Sequence, residues 1–180
     1  MKKHPLWLSL FLCAFFYNSF AAQPFTLESS AFQPNAMIPA QFSCDGANTS
    51  PPLTWHNAPD KTQSFALVVE DPDAPDGPWM HWILFNIPPT VTSLDAGAPV
   101  PDGAASGKNS WGAIGYRGPC PPIGAHSYVF KLYALDKVLN LSSGADKDTV
   151  LNTMTGHVIG NAKLSGLYQK FVPLPKQQNQ

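Results

Sequence analysis

The sequence predicts a mostly β fold that forms one domain. Three features carry this prediction: short apolar runs rich in β-branched and aromatic residues, turns rich in proline between them, and one late stretch with helical spacing. The 180 residues include 19 prolines, yet 44% are hydrophobic and 12% are aromatic, which is enough for a packed core. This composition argues against disorder, and the length suits a single domain.

The N-terminal segment has the pattern of a secretory signal peptide. Two lysines precede an apolar run over residues 6–16, and alanines at 21 and 22 end the segment. An uncleaved membrane anchor is the less favoured alternative, because spanning a bilayer takes roughly 20 apolar residues. We therefore expect a signal peptide over 1–22, one domain over 23–180, no transmembrane segment after signal removal, and a periplasmic or secreted location.

Five segments are candidate β-strands. Residues 25–27 and 53–55 are the weaker candidates, whereas 64–70 and 82–87 are continuously apolar runs ended by turns with proline, as is typical of buried strands. In the run 128–135, alternate residues share a face and both faces are largely apolar. We expect this last strand to be central in its sheet.

The remaining elements are a loop and a helix. Residues 95–118 are rich in glycine, proline, serine and alanine, which predicts a long loop. Apolar side chains recur at three- and four-residue steps from Asp146 to about Ala162, which predicts a helix with Asp146 as its N-cap. Gly156 should weaken that helix by about 1 kcal/mol relative to alanine. Residues 176–180 are a polar tail.

Charge and motif content exclude several functions. The formal net charge is −1, the pI is about 6.5 and no basic run occurs, which argues against a nucleic-acid partner. The sequence has no His-x-x-x-His pair, no paired-cysteine motif and no Gly-x-Ser-x-Gly elbow. We therefore expect no cofactor, no metal ligands and no catalytic residues.

The first segment with chemical content joins two apolar strands. Asp71 and Asp73 follow the end of one strand, and the prolines between and after them restrict the backbone. His81 comes at the start of the next strand. The alternative interpretation is a turn in which the aspartates accept backbone N–H groups, with an ordinary packed histidine.

The second such segment precedes the last predicted strand. Three prolines within residues 119–122 stiffen the chain, and Gly118 permits close backbone approach. His126 and Tyr128 are two residues apart, so they share a strand face. The alternative is that these rings only pack the end of a sheet.

Together the motifs resemble the phosphatidylethanolamine-binding protein family, also called the Raf-kinase-inhibitor-protein family, and in particular its bacterial subgroup. The resemblance covers nearly the whole chain after residue 22. It is carried by Cys-Asp-Gly at 44–46, Asp-Pro-Asp-Ala-Pro at 71–75, Gly-Lys-Asn at 107–109, Gly-Pro-Cys-Pro-Pro at 118–122 and His-Ser-Tyr at 126–128. The order of the two proline-rich strings makes it specific.

The resemblance implies an antiparallel Greek-key β-fold with a large central sheet, a smaller sheet and short C-terminal helices. It also implies a small pocket for phosphate, a phospholipid headgroup or acetate, and no enzymatic activity. A protein partner that is inhibited, such as a kinase or protease, and a homodimer are further implications. The implied ligand-binding residues are Asp71, Asp73, His81, Gly118, Cys120, Pro121, His126 and Tyr128.

An anion beside two carboxylates requires a physical explanation. We hypothesise that Asp71 or Asp73 accepts a hydrogen bond from an imidazole and keeps His81 or His126 protonated toward the ligand. Tyr128 and backbone N–H groups of residues 118–121 would donate the remaining hydrogen bonds. The sequence departs from the family pattern at Ser127, where arginine is frequent.

Two questions stay open at the level of sequence. Two aspartates and two histidines are also what a metal-assisted hydrolase would use, so that function is the alternative. Cys44 and Cys120 either form a disulfide, which an oxidising compartment would permit, or remain separate thiols that pack or line a site.

Overall fold

The computed structural model describes residues 23–170, so the predicted signal peptide and the polar tail lie outside the described residues. The described chain contains eight strands, one α-helix and a short 3-10 turn at Ala40–Phe42. In chain order they are β1 Thr26–Glu28, β2 Leu53–His56, β3 Ser64–Asp71, β4 Trp79–Ile87, β5 Ser93–Leu94, β6 Ala105–Ser106, β7 Ala125–Leu135, α1 Lys147–Met154 and β8 Val158–Gln169.

The strands form two antiparallel sheets. The large sheet has the order β6-β4-β3-β7-β8, and the small sheet has the order β1-β2-β5. The mostly β prediction and the large and small sheets that the resemblance implied are confirmed. As expected, β7 is internal, since it pairs with β3 on one side and β8 on the other.

The large sheet is covered on both faces. On β3, Leu67 and Val69 belong to a core that also contains Trp55 of the small sheet. The intervening Ala66 and Val68 belong to a second core that includes side chains of α1. The continuous apolar run of β3 therefore follows from burial on both faces.

The prediction for the C-terminal region was wrong in part. Asp146 caps the helix as expected, since its side chain accepts a hydrogen bond from Thr149 N, but α1 ends at Met154. Gly156 has φ +82°, a conformation that glycine adopts at little cost and that ends the helix. The chain beyond it is β8, which pairs with β7 along its length and buries Ala162 and Leu164. Its apolar residues also matched a helical spacing by coincidence.

The predicted long loop contains one short strand. Within residues 95–118, β6 pairs with β4 through Phe85↔Ala105 and Leu84↔Ser106. The rest of this segment is turns, one of which folds residues 109–115 over the end of the large sheet.

Candidate functional site

A cavity of about 200 Å³ lies where β3 ends and β7 begins. Antiparallel pairing brings the end of β3, the start of β4 and the start of β7 to the same end of the large sheet. The lining residues are Asp71, Ala74, Pro75, Asp76, Trp79, His81, Trp111, Cys120, Pro122, His126 and Tyr128. Five of the eight residues in the predicted ligand-binding set are among them.

A β-bulge places His81. Val69 pairs with Trp82 and Glu70 pairs with Met80, so His81 is an extra residue in β4. The bulge lets the imidazole pack edge-on against Tyr128, with ring centroids 5.1 Å apart.

The backbone of Arg117 fixes the proton of His81. Nδ1 of His81 donates to the carbonyl oxygen of Arg117 at 2.6 Å, and Arg117 N donates to the carbonyl of His81 at 3.0 Å. Burial lowers the pKa of His81 below 6.5, although the carbonyl acceptors and the Asp71 charge partly oppose this effect. At neutral pH the ring is therefore neutral, with its proton on Nδ1 and an unprotonated Nε2.

Asp71 holds the second imidazole. Nδ1 of His126 lies 2.8 Å from Oδ2 of Asp71, and Asp71 Oδ1 accepts a hydrogen bond from Asp73 N at 2.9 Å. Both residues are buried, Asp71 at 4% and His126 at 9% exposure. The Asp71 carboxylate thus orients His126 and leaves Nε2 of that ring as its second polar atom.

Asp73 has a structural role at the edge of the site. It does not line the cavity, and its Oδ2 accepts a hydrogen bond from the backbone N of Ser127 at 2.7 Å. Asp73 therefore ties the acidic loop to β7, and of the two predicted carboxylates Asp71 is the one bonded to an imidazole.

Tyr128 contributes a hydroxyl without a partner. The residue is 1% exposed, and within residues 23–170 no group forms a hydrogen bond to its hydroxyl, although Asp71 and the Cys120 backbone lie beside it. Burial, and secondarily the negative charge of Asp71, raises the pKa of Tyr128, so the hydroxyl keeps its proton. It is a buried donor beside the cavity.

The wall before β7 is fixed by close contacts. Gly118 N donates to Oδ1 of Asn48 at 2.7 Å, and a Cβ at Gly118 would overlap the carbonyl oxygen of Phe42. Only glycine fits there without movement. Because Gly118 N–H is already bonded and Pro119 and Pro121 have none, the hypothesis that several amides of this loop face the ligand is wrong.

Two predicted residues of this wall remain, the adjacent Cys120 and Pro121. Pro121 is buried and does not line the cavity, whereas Cys120 does. Cys120 forms a disulfide with Cys44, their Cα atoms being 5.4 Å apart, and Cys44 N donates to the Pro119 carbonyl at 3.0 Å. The two cysteines thus tether the wall to the segment after the 3-10 turn.

Six residues of the lining were not in the predicted ligand-binding set, and three of them carry a charged or aromatic side chain. Asp76 and Trp79 belong to the acidic segment, so their position near Asp71 could have suggested them. Trp111 gave no signal, because it lies in a loop that only the fold brings to the sheet. Its backbone N donates to Oδ1 of Asn109 at 3.1 Å, and its ring centroid is 5.0 Å from that of His81.

The described part of the chain has neither a metal-binding cluster nor a membrane-spanning helix. Among residues 23–170, no group of three or more His, Cys, Asp or Glu side chains is placed to hold a metal ion. In the same part of the chain, no helix has the length and apolar character needed to cross a bilayer.

Comparison with known proteins identifies the family. A profile of the phosphatidylethanolamine-binding proteins matches residues 28–169. The chain belongs to this family. A UPF0098 protein of Methanothermobacter thermautotrophicus is 51% identical to this family member over 148 residues, covering 80% of the chain and 98% of the relative. The LppC protein of Mycobacterium tuberculosis, named as a candidate lipoprotein, is 44% identical over 151 residues, covering 83% of the chain and 74% of LppC.

A solved structure supports the same assignment. The chain is similar to CT736 of Chlamydia trachomatis, described as a candidate phosphatidylethanolamine-binding protein homologue, with a TM-score of 0.79 and 43% identity. The match covers 82% of this chain and 99% of CT736. The resemblance drawn from the motifs is therefore confirmed for the family and the fold.

Proposed function

We propose that this family member is a non-enzymatic binding protein whose cavity holds a small anionic group, such as phosphate or a phospholipid headgroup. The observation that carries the proposal is the Tyr128 hydroxyl, which is buried, protonated and without a partner in residues 23–170. Leaving a buried donor unpaired costs about 1–3 kcal/mol. A ligand oxygen would supply the missing acceptor.

The two imidazoles support the same proposal. Each has its Nδ1 bonded to a protein acceptor, the Arg117 carbonyl for His81 and the Asp71 carboxylate for His126. The hydrogen bond to the Asp71 carboxylate orients the His126 ring and leaves its Nε2 to face a ligand in the cavity. Burial lowers the pKa of His81, so this ring is neutral near neutral pH and its unprotonated Nε2 is an acceptor.

Calorimetric titration with inorganic phosphate tests the proposal. We expect binding to the wild-type protein and about tenfold weaker binding to Tyr128→Phe. Tyr168→Phe is the matched control, because that hydroxyl donates to Asp45 at 2.6 Å and does not line the cavity. Absence of phosphate binding to the wild type, or equal loss in both variants, would refute the assignment.

We further propose that the protein acts in the periplasm or outside the cell. The N-terminal apolar run and the lipoprotein name of the mycobacterial relative support this location. Cell fractionation and N-terminal sequencing of the exported protein test it, and an uncleaved cytosolic product would contradict it.

Inhibition of a protein partner and homodimer formation are proposed from family membership alone. Sedimentation equilibrium tests the dimer, and a monomeric mass at high concentration would refute it.

A further inference from the structure

The overall charge of the cavity lining is unfavourable to a bound anion. The lining contains the carboxylates Asp71 and Asp76, and among the described residues no lysine or arginine lines it. His81 is neutral near neutral pH because burial lowers its pKa. Even a protonated His126 only balances the Asp71 carboxylate that is bonded to it. Asp76 then leaves a net negative lining, so the anion site proposed above needs a cation from beyond the lining.

Arg117 places a cation against one residue of the cavity wall. Its Cζ lies 4.8 Å from the centroid of the Trp111 ring, which lines the cavity. Cation–π attraction favours this position of the guanidinium. The Arg117 backbone is bonded to His81 twice. Its N–H donates to the His81 carbonyl, and its carbonyl accepts a hydrogen bond from His81 Nδ1. The residue is exposed, so its charged end is accessible to a ligand.

We propose that Arg117 is the specificity-determining residue of the cavity, and that it selects doubly charged phosphate monoesters over singly charged phosphate diesters. The inference rests on the anion-binding function proposed above. A guanidinium attracts a dianion about twice as strongly as a monoanion at the same distance. The two parallel hydrogen bonds that a guanidinium can donate are available to the unesterified oxygens of either ester, so the preference rests on the difference in charge.

The same charge balance predicts what happens without Arg117. The net negative lining repels a dianion more strongly than a monoanion, so loss of Arg117 should remove the preference and not merely weaken binding. Phospholipid headgroups in intact lipids are diesters, whereas free phosphorylated alcohols are monoesters. The proposal therefore distinguishes two sources of the same phosphate chemistry and favours the free monoester.

Methyl phosphate and dimethyl phosphate are the probes for this test, in calorimetric titrations of the purified protein at pH 7.5 and low salt. At this pH a monoester is mostly a dianion, since its second pKa is about 6. We expect the wild type to bind methyl phosphate about threefold more tightly than dimethyl phosphate. Arg117→Gln should weaken methyl phosphate binding about tenfold and dimethyl phosphate binding about threefold, because the monoanion loses about half as much interaction free energy, so the two affinities become about equal.

Two further variants isolate the role of the guanidinium. Arg117→Lys keeps the charge without the planar pair of donors, so it should fall between wild type and Arg117→Gln. Lys61→Gln removes one positive charge from an exposed residue that precedes β3, at the opposite end of that strand from Asp71, and should leave both affinities unchanged. An unchanged circular dichroism spectrum would show that Arg117→Gln is folded.

The outcomes separate this inference from the proposed function. If the wild type binds neither ester nor inorganic phosphate, the anion-binding function itself fails. If the wild type binds both esters equally, or if Arg117→Gln keeps the ratio of the two dissociation constants, the role of Arg117 is refuted while anion binding stands.

Discussion

Replacing Tyr128 with phenylalanine should stabilise the ligand-free protein. The Tyr128 hydroxyl is removed from water and forms no hydrogen bond with residues 23–170. An unpaired buried polar group costs about 1–3 kcal/mol, and its removal recovers part of that cost. We expect the free energy of unfolding to rise by about 1 kcal/mol, which corresponds to a Tm increase of about 2–4 °C for a domain of this size.

Tyr116→Phe is the matched control, and its expected change in the free energy of unfolding has the opposite sign. The Tyr116 hydroxyl donates to the carbonyl oxygen of Phe42 at 2.7 Å, so its removal breaks a formed hydrogen bond. We expect that variant to lose about 1 kcal/mol of stability. Urea denaturation of both variants in phosphate-free buffer measures the difference. If Tyr128→Phe loses as much stability as Tyr116→Phe, the Tyr128 hydroxyl is bonded in the free protein and the reasoning is refuted.

Phosphate should then reverse the order of stability. A ligand at 100 times its dissociation constant stabilises the native state by about 2.7 kcal/mol. A variant that binds tenfold more weakly gains only about 1.4 kcal/mol at the same concentration. Tyr128→Phe, the more stable protein without phosphate, should therefore become equal to or less stable than the wild type with it. An unchanged difference in phosphate would show that the hydroxyl does not contact the ion.

Three further predictions concern the frame of the site. Gly118→Ala should lower the free energy of unfolding by about 1–3 kcal/mol in urea denaturation, because its Cβ would overlap the Phe42 carbonyl; wild-type stability would contradict this. Burial lowers the pKa of His81 below 6.5, so the unfolded chain takes up this proton first as pH falls, and stability decreases from about pH 6.5 down to the folded pKa. The free energy of unfolding of His81→Gln should decrease less than that of the wild type in this pH window. Equal decreases in both proteins would contradict the lowered pKa of His81. Reduction of the Cys44–Cys120 disulfide should cost about 4 kcal/mol, since it closes a loop of 76 residues, and a Tm unaffected by dithiothreitol would exclude that role.

The sequence predicted five of the eight strands in residues 23–170, because each of these is a continuous apolar run buried on both faces or an alternating run between turns. It could not place β8, where the apolar residues satisfy a period of two and a period near 3.6 at once. The pairing of β8 with β7 over the whole strand decides in favour of the period of two, and this pairing is a tertiary interaction. The five predicted residues that line the cavity came from the motifs, since they follow strand ends that antiparallel pairing brings together.

The parts of the site that sequence could not predict depend on backbone irregularity and loop position. With strict alternation along β4, the adjacent residues His81 and Trp82 would lie on opposite faces of the sheet. The bulge at His81 puts both of them on the face that carries Tyr128. Trp111 and Arg117 meet beside the cavity because Asn109 folds the 109–115 turn and because His81 bonds the Arg117 backbone. The bulge thus positions the neutral imidazole and, through the same residue, the guanidinium that would set the charge preference. A change that straightened β4 at His81 should therefore weaken phosphate binding in the cavity and also reduce the preference for a doubly charged ligand.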